Sequence, residues 1–210
     1  MPEHECVLPF AKNGDCRGIT RSAYIYPMRI TLLLIALSGI LLSCNKGKKN
    51  TKSCNGSSTR RDVKICIDDA TTQIDLTPTT IDVASIGALE VPEIDKDDPR
   101  QDAEKKVYTI TATVHKLSKH RDGDWKVKLT DGNDKYINCE NPNPGCEYAK
   151  DSDFYDAFLN VREWIEANKN DLVGKTVTIT GVGFIDIDHK YPRNAADNEM
   201  ELHPILSIHY

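Results

Sequence analysis

Two histidines stand among several carboxylates in DIDHKYPRNAADNEMELHP, residues 186–204. Glu201 and His203 are two apart. On an extended strand they share one face, opposite Leu202 and Pro204. His189 lies across the intervening stretch, with Asp186 and Asp188 beside it. A His189–Glu201–His203 set completed by Asp186 or Asp188 could hold a divalent metal or move protons as a general acid–base group. The same residues could also serve structure alone, with His203 bonded to a loop carbonyl and Glu201 paired with a basic side chain, as buried polar groups near strand ends commonly are.

These side chains need a frame, and period-two patterning supplies one. Tyr108, Ile110, Ala112 and Val114 alternate with threonines, which predicts a first strand. HRDGD turns the chain, and Trp125, Val127 and Leu129 then alternate with Lys126, Lys128 and Thr130 as a second. After DGND, residues 135–139 read as a short third strand. Ser152 or Asp153 is a suitable helix N-cap, and Phe154, Phe158, Val161 and Ile165 follow on one helical face. Residues 175–187 predict a fourth strand, in which Gly181 and Gly183 allow a bulge or a close backbone approach. Residues 202–210 predict a fifth, with Leu202, Pro204, Leu206, Ile208 and Tyr210 on one face. Three strands, a helix, then two strands is the element order of an OB-fold. The expected class is therefore mainly β with one helix (α+β): a five-stranded OB-fold-like barrel over residues 80–210, its helix between strands 3 and 4.

The pieces ASIGALEVP, Arg100, EKKVYTITATV, RDGDWKVKLTDG, ENPNPGC, Asp151-Ser152-Asp153-Phe154, GVGFIDIDH and MELHPIL occur in that order. In them the chain resembles a family of uncharacterised bacterial exported proteins with an OB-like domain. Relatives read Gly-Gln after the histidine where this chain has Lys190-Tyr191, and Asn-Gly-Ile-Glu where it has Asn198-Glu199-Met200-Glu201. The resemblance implies the fold and supplies no activity. It also suggests that Arg100 pairs with a carboxylate and pins the loop of residues 91–106, and it draws attention to Glu140 ahead of the Pro-rich turn. Asp122-Gly123-Asp124 is similar to the first hairpin of thermonucleases, which are OB-folds. Trp125 stands where they carry Thr and their following run is absent, so Asp122 and Asp124 read as turn residues. Trp125 and Tyr136 could form a flat aromatic platform, but more often such residues are core or hairpin pairs.

Ahead of the barrel the pattern changes. MRITLLLIALSGILLSC, residues 28–44, has an apolar stretch too short to span about 30 Å of hydrocarbon and matches the apolar region of a secretory signal. Leu41-Leu42-Ser43-Cys44 resembles the lipobox of bacterial lipoproteins, which implies cleavage before Cys44 and diacylglycerol on its sulfur. Several acyl chains hold a protein on a bilayer, each buried CH₂ contributing about 0.8 kcal/mol. Residues 1–27 then read as an upstream extension from a misassigned start, residues 28–43 as the signal peptide and residues 44–79 as the lipidated cysteine with a flexible tether. Short β-type runs (VKICI, TIDVASI) are scattered toward the tether's end.

Outside the cytoplasm an even number of cysteines suggests disulfides. Cys139 and Cys146 bracket the turn ENPNPG and are expected to pair, leaving Cys54 with Cys66; their spacings do not fit a zinc knuckle. The net charge of -5 and the lack of a basic stripe argue against nucleic acid. The expected protein is an envelope lipoprotein on the cell or outer membrane. It meets the lipid bilayer through Cys44, faces the periplasm or exterior, and binds an envelope protein or oligosaccharide. The rival reading is a metal-assisted hydrolase centred on the loop between strands 4 and 5.

Overall fold

The alternating segments do form strands, and they close on one another. The structure, a computed structural model, describes Cys54, residues 59–190 and residues 193–210. The signal segment and Cys44 lie outside the described residues. Strands β1 (Asp75–Thr80), β2 (Lys106–Lys119), β3 (Trp125–Thr130), β4 (Tyr136–Asn141), β5 (Thr176–Ile185) and β6 (Met200–His209) join in the order β1-β2-β3-β4-β6-β5, and β2 also pairs with β5. Five strands, β2 to β6, thus form a closed barrel, with β1 added along the outside of β2. In chain order the helix α3 (Tyr155–Asn168) falls between β4 and β5.

Closure depends on the length of β2. Its first half pairs antiparallel with β5, from Val107↔Val182 to Thr113↔Thr176. After Thr113 it pairs with β3, across a register shift between Val114 and Lys116. A strand that bends at a bulge can belong to both sides of a barrel, leaving no open edge there. The parallel pair β4–β6 completes the ring, with Asn138 opposite Glu201 and Cys139 opposite Leu202.

The predicted inward residues fill the interior. Ile110, Val114, Val127, Leu129, Ile137, Ile179 and Leu202 are fully buried in one cluster with Val161 and Ile165 of α3. Trp125 belongs to the same cluster and donates from Nε1 to Glu166 at 3.1 Å, while Tyr136 meets the His115 ring edge-on at 5.0 Å. The pair is therefore core and hairpin, not a platform. Strand β6 departs from the simple alternation. Its register against β5 shifts around Gly181, so Ile205 joins the core where period two would put Pro204 or Leu206. A Cβ on Gly181 would meet the Pro204 carbonyl at 2.9 Å, and one on Gly183 the Ala103 carbonyl at 2.5 Å, so both glycines serve close backbone approach.

Residues 59–79, read as tether, are folded onto the barrel. VKICI is not a strand: α1 (Arg61–Lys64) and a 3-10 turn (Asp69–Gln73) precede β1, which runs parallel to β2. TIDVASI likewise carries a short helix, α2 (Val83–Gly87), capped by the Asp82 carboxylate on the Ser85 N–H. Buried charges hold this segment down. Arg100 donates to Asp68 (2.7 Å), to the Val63 carbonyl (2.7 Å) and to the Glu104 carbonyl (2.9 Å). Arg60 grips Glu104 through both terminal nitrogens, Nη1 to Oε1 at 2.9 Å and Nη2 to Oε2 at 2.7 Å.

The cysteine pairing also differs from expectation. Cys54 is bonded to Cys146, and Cys66 and Cys139 are free and buried. The turn between Cys139 and Cys146 is tight, but Cys139 occupies an inward position of β4 and sits in the barrel core. Cys66 packs with Ile74, Val107 and Val182. Burial pushes its thiol up to about 11 despite the adjacent Arg100, and burial pushes the Cys139 thiol well above the usual range. In the native protein at neutral pH both thiols should therefore resist iodoacetamide, reacting only after denaturation. Peptide mapping should recover the Cys54–Cys146 link. Rapid labelling of Cys139 in the folded chain, or a Cys139–Cys146 peptide, contradicts this arrangement.

Candidate functional site

The outer face of β3, β4 and β6 should be solvated, yet it carries buried charge. Side chains alternate across a strand, so the residues between the core positions point outward: Lys126 and Lys128 on β3, Asn138 and Glu140 on β4, Glu201 and His203 on β6. Register aligns them in two rows. Lys128 pairs with Asn138 and Lys126 with Glu140 across β3–β4, while Asn138 lies opposite Glu201 across β4–β6. His203, two residues on, sits beside Glu140, with Nδ1 at 3.5 Å from Oε2.

A cavity of about 460 Å³ opens over these rows. Its floor is Lys126, Lys128, Asn138, Glu140 and His203. Asp122 and Asp124 border it from the loop between β2 and β3, and Asp186, His189 and Arg193 from the loop between β5 and β6. Lys64 of α1 enters from the N-terminal segment. This placement follows from α1 packing on β5, where Arg60 and Lys64 lie over the Phe184 ring at 5.2 and 4.9 Å. A larger groove of about 630 Å³ runs between residues 89–95 and the β5–β6 loop. The smaller cavity is the better candidate, because unsatisfied polar atoms gather there.

Those atoms are specific. Both ring nitrogens of His203, Glu201 Oε2 and Asn138 Oδ1 are buried without a hydrogen-bond partner among the described residues. His203 is only 1% exposed. Buried polar groups in folded proteins are overwhelmingly bonded, and each exception calls for an explanation. The remaining groups are well held. Lys126 Nζ lies 2.6 Å from Glu140 Oε1 and 3.8 Å from Glu201 Oε1, and the Asn138 amide donates to Glu201 Oε1 at 2.9 Å. Asp124 Oδ1 accepts the Asn143 N–H at 2.7 Å.

Electrostatics divides the carboxylates. Burial, then the adjacent Glu140, pushes Glu201 up to about 7 against the pull of Lys126. Burial, with Asp122 and Glu140 nearby, raises Asp124 to about 7. Burial would raise Glu140 too, but the Lys64 and Lys126 ammonium groups outweigh it and hold this carboxyl well below the usual range. Burial lowers His203 to about 3 in spite of Glu140, so its imidazole is neutral at physiological pH. The face thus carries one firmly ionised carboxylate, two that titrate near neutrality and a neutral imidazole.

The expected His189–Glu201–His203 set is not the one the fold assembles. Asp124, Glu140 and His203 offer ligand atoms all within 4.8 Å of one another. His189 stands at the cavity rim, its Nε2 at 3.2 Å from Asp186 Oδ2, and Asp186 also faces Arg193 at 3.5 Å. Glu201 engages Asn138 and Lys126 instead. Asp122 accepts the Asp124 N–H at 3.2 Å around Gly123, whose φ of 96° only glycine adopts readily, so the Asp-Gly-Asp segment is indeed a turn. Arg100 is remote from the cavity and clamps Asp68. Sequence reasoning missed Lys64, Lys126 and Asn138. The β3 alternation placed Lys126 outward, but nothing local showed that the outside would be covered.

No protein-family model matches the chain, and no curated protein does. Solved structures resemble it in part, two of one enzyme among them. Entamoeba histolytica asparaginyl-tRNA synthetase aligns at 17% identity and a TM-score of 0.38 over 64% of this chain and 24% of its own. The same enzyme in complex with asparaginyl-adenylate aligns at 18% identity and a TM-score of 0.33, over 57% and 23%. The chain thus spans about a quarter of the length of these synthetase chains. The strand order, with β4 parallel to β6 and β2 closing on β5, identifies the barrel as OB-like.

The Glu201 environment yields a pH test on metal-free protein. Its folded value of about 7 lies above the ordinary 4.5. The folded chain therefore keeps a proton that the unfolded chain releases between those values. The stabilisation is full below pH 4.5 and is lost as pH rises through 7. Glu201→Gln mimics the protonated form at every pH. Urea unfolding should show variant and wild type close at low pH, and the variant gaining relative stability up to about pH 8. Parallel profiles across this range contradict the assignment.

Proposed function

We propose that this chain is a membrane-anchored bacterial envelope lipoprotein whose OB-like barrel binds a polar envelope ligand, an oligosaccharide, in the cavity over β3, β4 and β6. The observation that carries the binding reading is the set of buried, unpartnered polar atoms of His203 and Asn138 in that cavity, with Glu201 Oε2 beside Asn138 in the same state. OB-folds take ligands on the face of their second and third strands, between the 1–2 and 4–5 loops. Here those elements are β3, β4 and the loops bearing Asp124 and His189. About 460 Å³ is within the usual range for small-ligand sites. A concave lining of carboxylates, amide and imidazole suits the hydroxyl groups of a sugar. The net charge of -5 disfavours a nucleic-acid backbone.

The anchoring half rests on residues 28–44, where an apolar leader ends in Leu-Leu-Ser-Cys. Cells expressing the full chain and grown with labelled palmitate should yield labelled protein in the membrane fraction. Cys44→Ala should abolish the label and release the protein; an unlabelled wild-type chain contradicts the anchor. For the ligand, envelope oligosaccharides titrated into the full chain should bind. Lys126→Met and Glu140→Gln should each weaken binding by about 10–100-fold, the cost of losing a charged hydrogen-bond partner. Unaltered affinity in both variants would move the ligand elsewhere.

A further inference from the structure

We infer that Asp124, Glu140 and His203 form a binding site for a divalent transition-metal ion, with zinc its best fit, and that the ion's open coordination position faces the cavity. The site lies within the proposed ligand cavity but does not depend on the oligosaccharide reading.

Three observations carry it. First, the three residues come from separate elements, the loop before β3, β4 and β6, yet their ligand atoms lie within 4.8 Å of one another. Two ligands at about 2.1 Å from a tetrahedral ion are about 3.4 Å apart. His203 Nδ1 and Glu140 Oε2 already stand at 3.5 Å, so only Asp124 needs to close in. Second, neither nitrogen of the buried His203 ring has a hydrogen-bond partner among the described residues. A neutral imidazole in that state has a lone pair to give and nothing to give it to. Third, the carboxylates are held by one oxygen each. Lys126 takes Glu140 Oε1, and the Asn143 N–H takes Asp124 Oδ1. Such outer partners orient ligand oxygens without competing for the ones that face the ion. The second oxygen of Glu140, Oε2, is the one that faces His203 Nδ1.

The donor set selects the ion. One imidazole with two carboxylates suits zinc or a neighbouring transition ion, whereas magnesium and calcium prefer oxygen alone. Three protein ligands leave a fourth position for water or for a ligand hydroxyl. Asp122, Glu201 and Asp186 add negative charge around the site, against Lys64, Lys126, Lys128 and Arg193.

Cobalt(II) added to chelator-stripped full-length protein reports the coordination directly. A four-coordinate site gives visible absorption that saturates at one ion per chain and is displaced by zinc. Asp124→Asn and His203→Asn should each weaken zinc binding by more than the ~10–100-fold that an outer-shell change costs. His189→Ala should leave it unchanged. Circular dichroism of each metal-free variant shows whether it folds, and Asp124→Asn, in a loop, covers the case in which His203→Asn does not. Absence of a saturating cobalt spectrum in the wild type overturns the site. So does a spectrum that survives both substitutions, or one lost with His189→Ala. The spectrum is read without any sugar present, so its failure is distinct from failure of the oligosaccharide titration.

Discussion

Glu104 is wholly buried and carries a carboxylate that receives four hydrogen bonds: two from Arg60, one from the Ile185 N–H and one from the Gln101 N–H. An isolated buried charge is prohibitively costly, so a carboxylate in this position persists only while all its partners stay in place. Those partners belong to three stretches that are distant in sequence: the segment before α1, the loop before β2 and the end of β5. Arg60 also donates to the Pro99, Asp98 and Ile185 carbonyls. The result is a clamp. It fixes α1 on the barrel and sets where the β5–β6 loop departs.

The polar face depends on that clamp. Without α1, the rows Lys128–Asn138–Glu201 and Lys126–Glu140–His203 would lie on an open, solvated sheet, and their charges would be screened by water. With α1 in place, Lys64 comes down beside Glu140, Glu201 and Asp186, whose charges together raise its pKa although burial acts the other way. Burial then separates carboxylates of one chemical type into different protonation behaviour. Glu140 has the nearest cations and stays ionised, while Glu201 lies against it and resists a second negative charge. Neighbouring carboxyl groups divided in this way are a common feature of functional sites.

Much of the frame was legible in the sequence because it is local. Alternation at Tyr108–Ile110–Ala112–Val114 and Trp125–Val127–Leu129 marks inward faces directly, and the apolar stripe Phe158–Val161–Ile165 marks the buried side of α3. The site was only half legible. His203, Glu140 and Asp124 stand out as residue types, but what brings them together is the parallel β4–β6 register, and Asn138 is 63 positions from its partner Glu201. A parallel pairing over that distance leaves no local trace. Cys139 and Cys146 do not pair for a similar reason: β4 turns Cys139 into the core, whereas Cys146 meets Cys54, 92 residues earlier in the chain. VKICI alternates as a strand would, yet Val63 is drawn down beside Arg100, which binds its carbonyl, and the stretch winds into a helical turn.

The covered cavity therefore exists only if residues 60–73 are docked through Glu104 and do not hang free. Native-state hydrogen exchange of the wild-type protein measures this directly. The Ile185 amide, which donates to Glu104 Oε1, and the amides of Lys64, Ile65 and Ile67, bonded within the α1 turn, are predicted to be strongly protected, near the level of the barrel strands. Exchange of these amides at the rate of an unstructured chain, with β3 and β4 still protected, contradicts the clamp and with it the covered polar cavity.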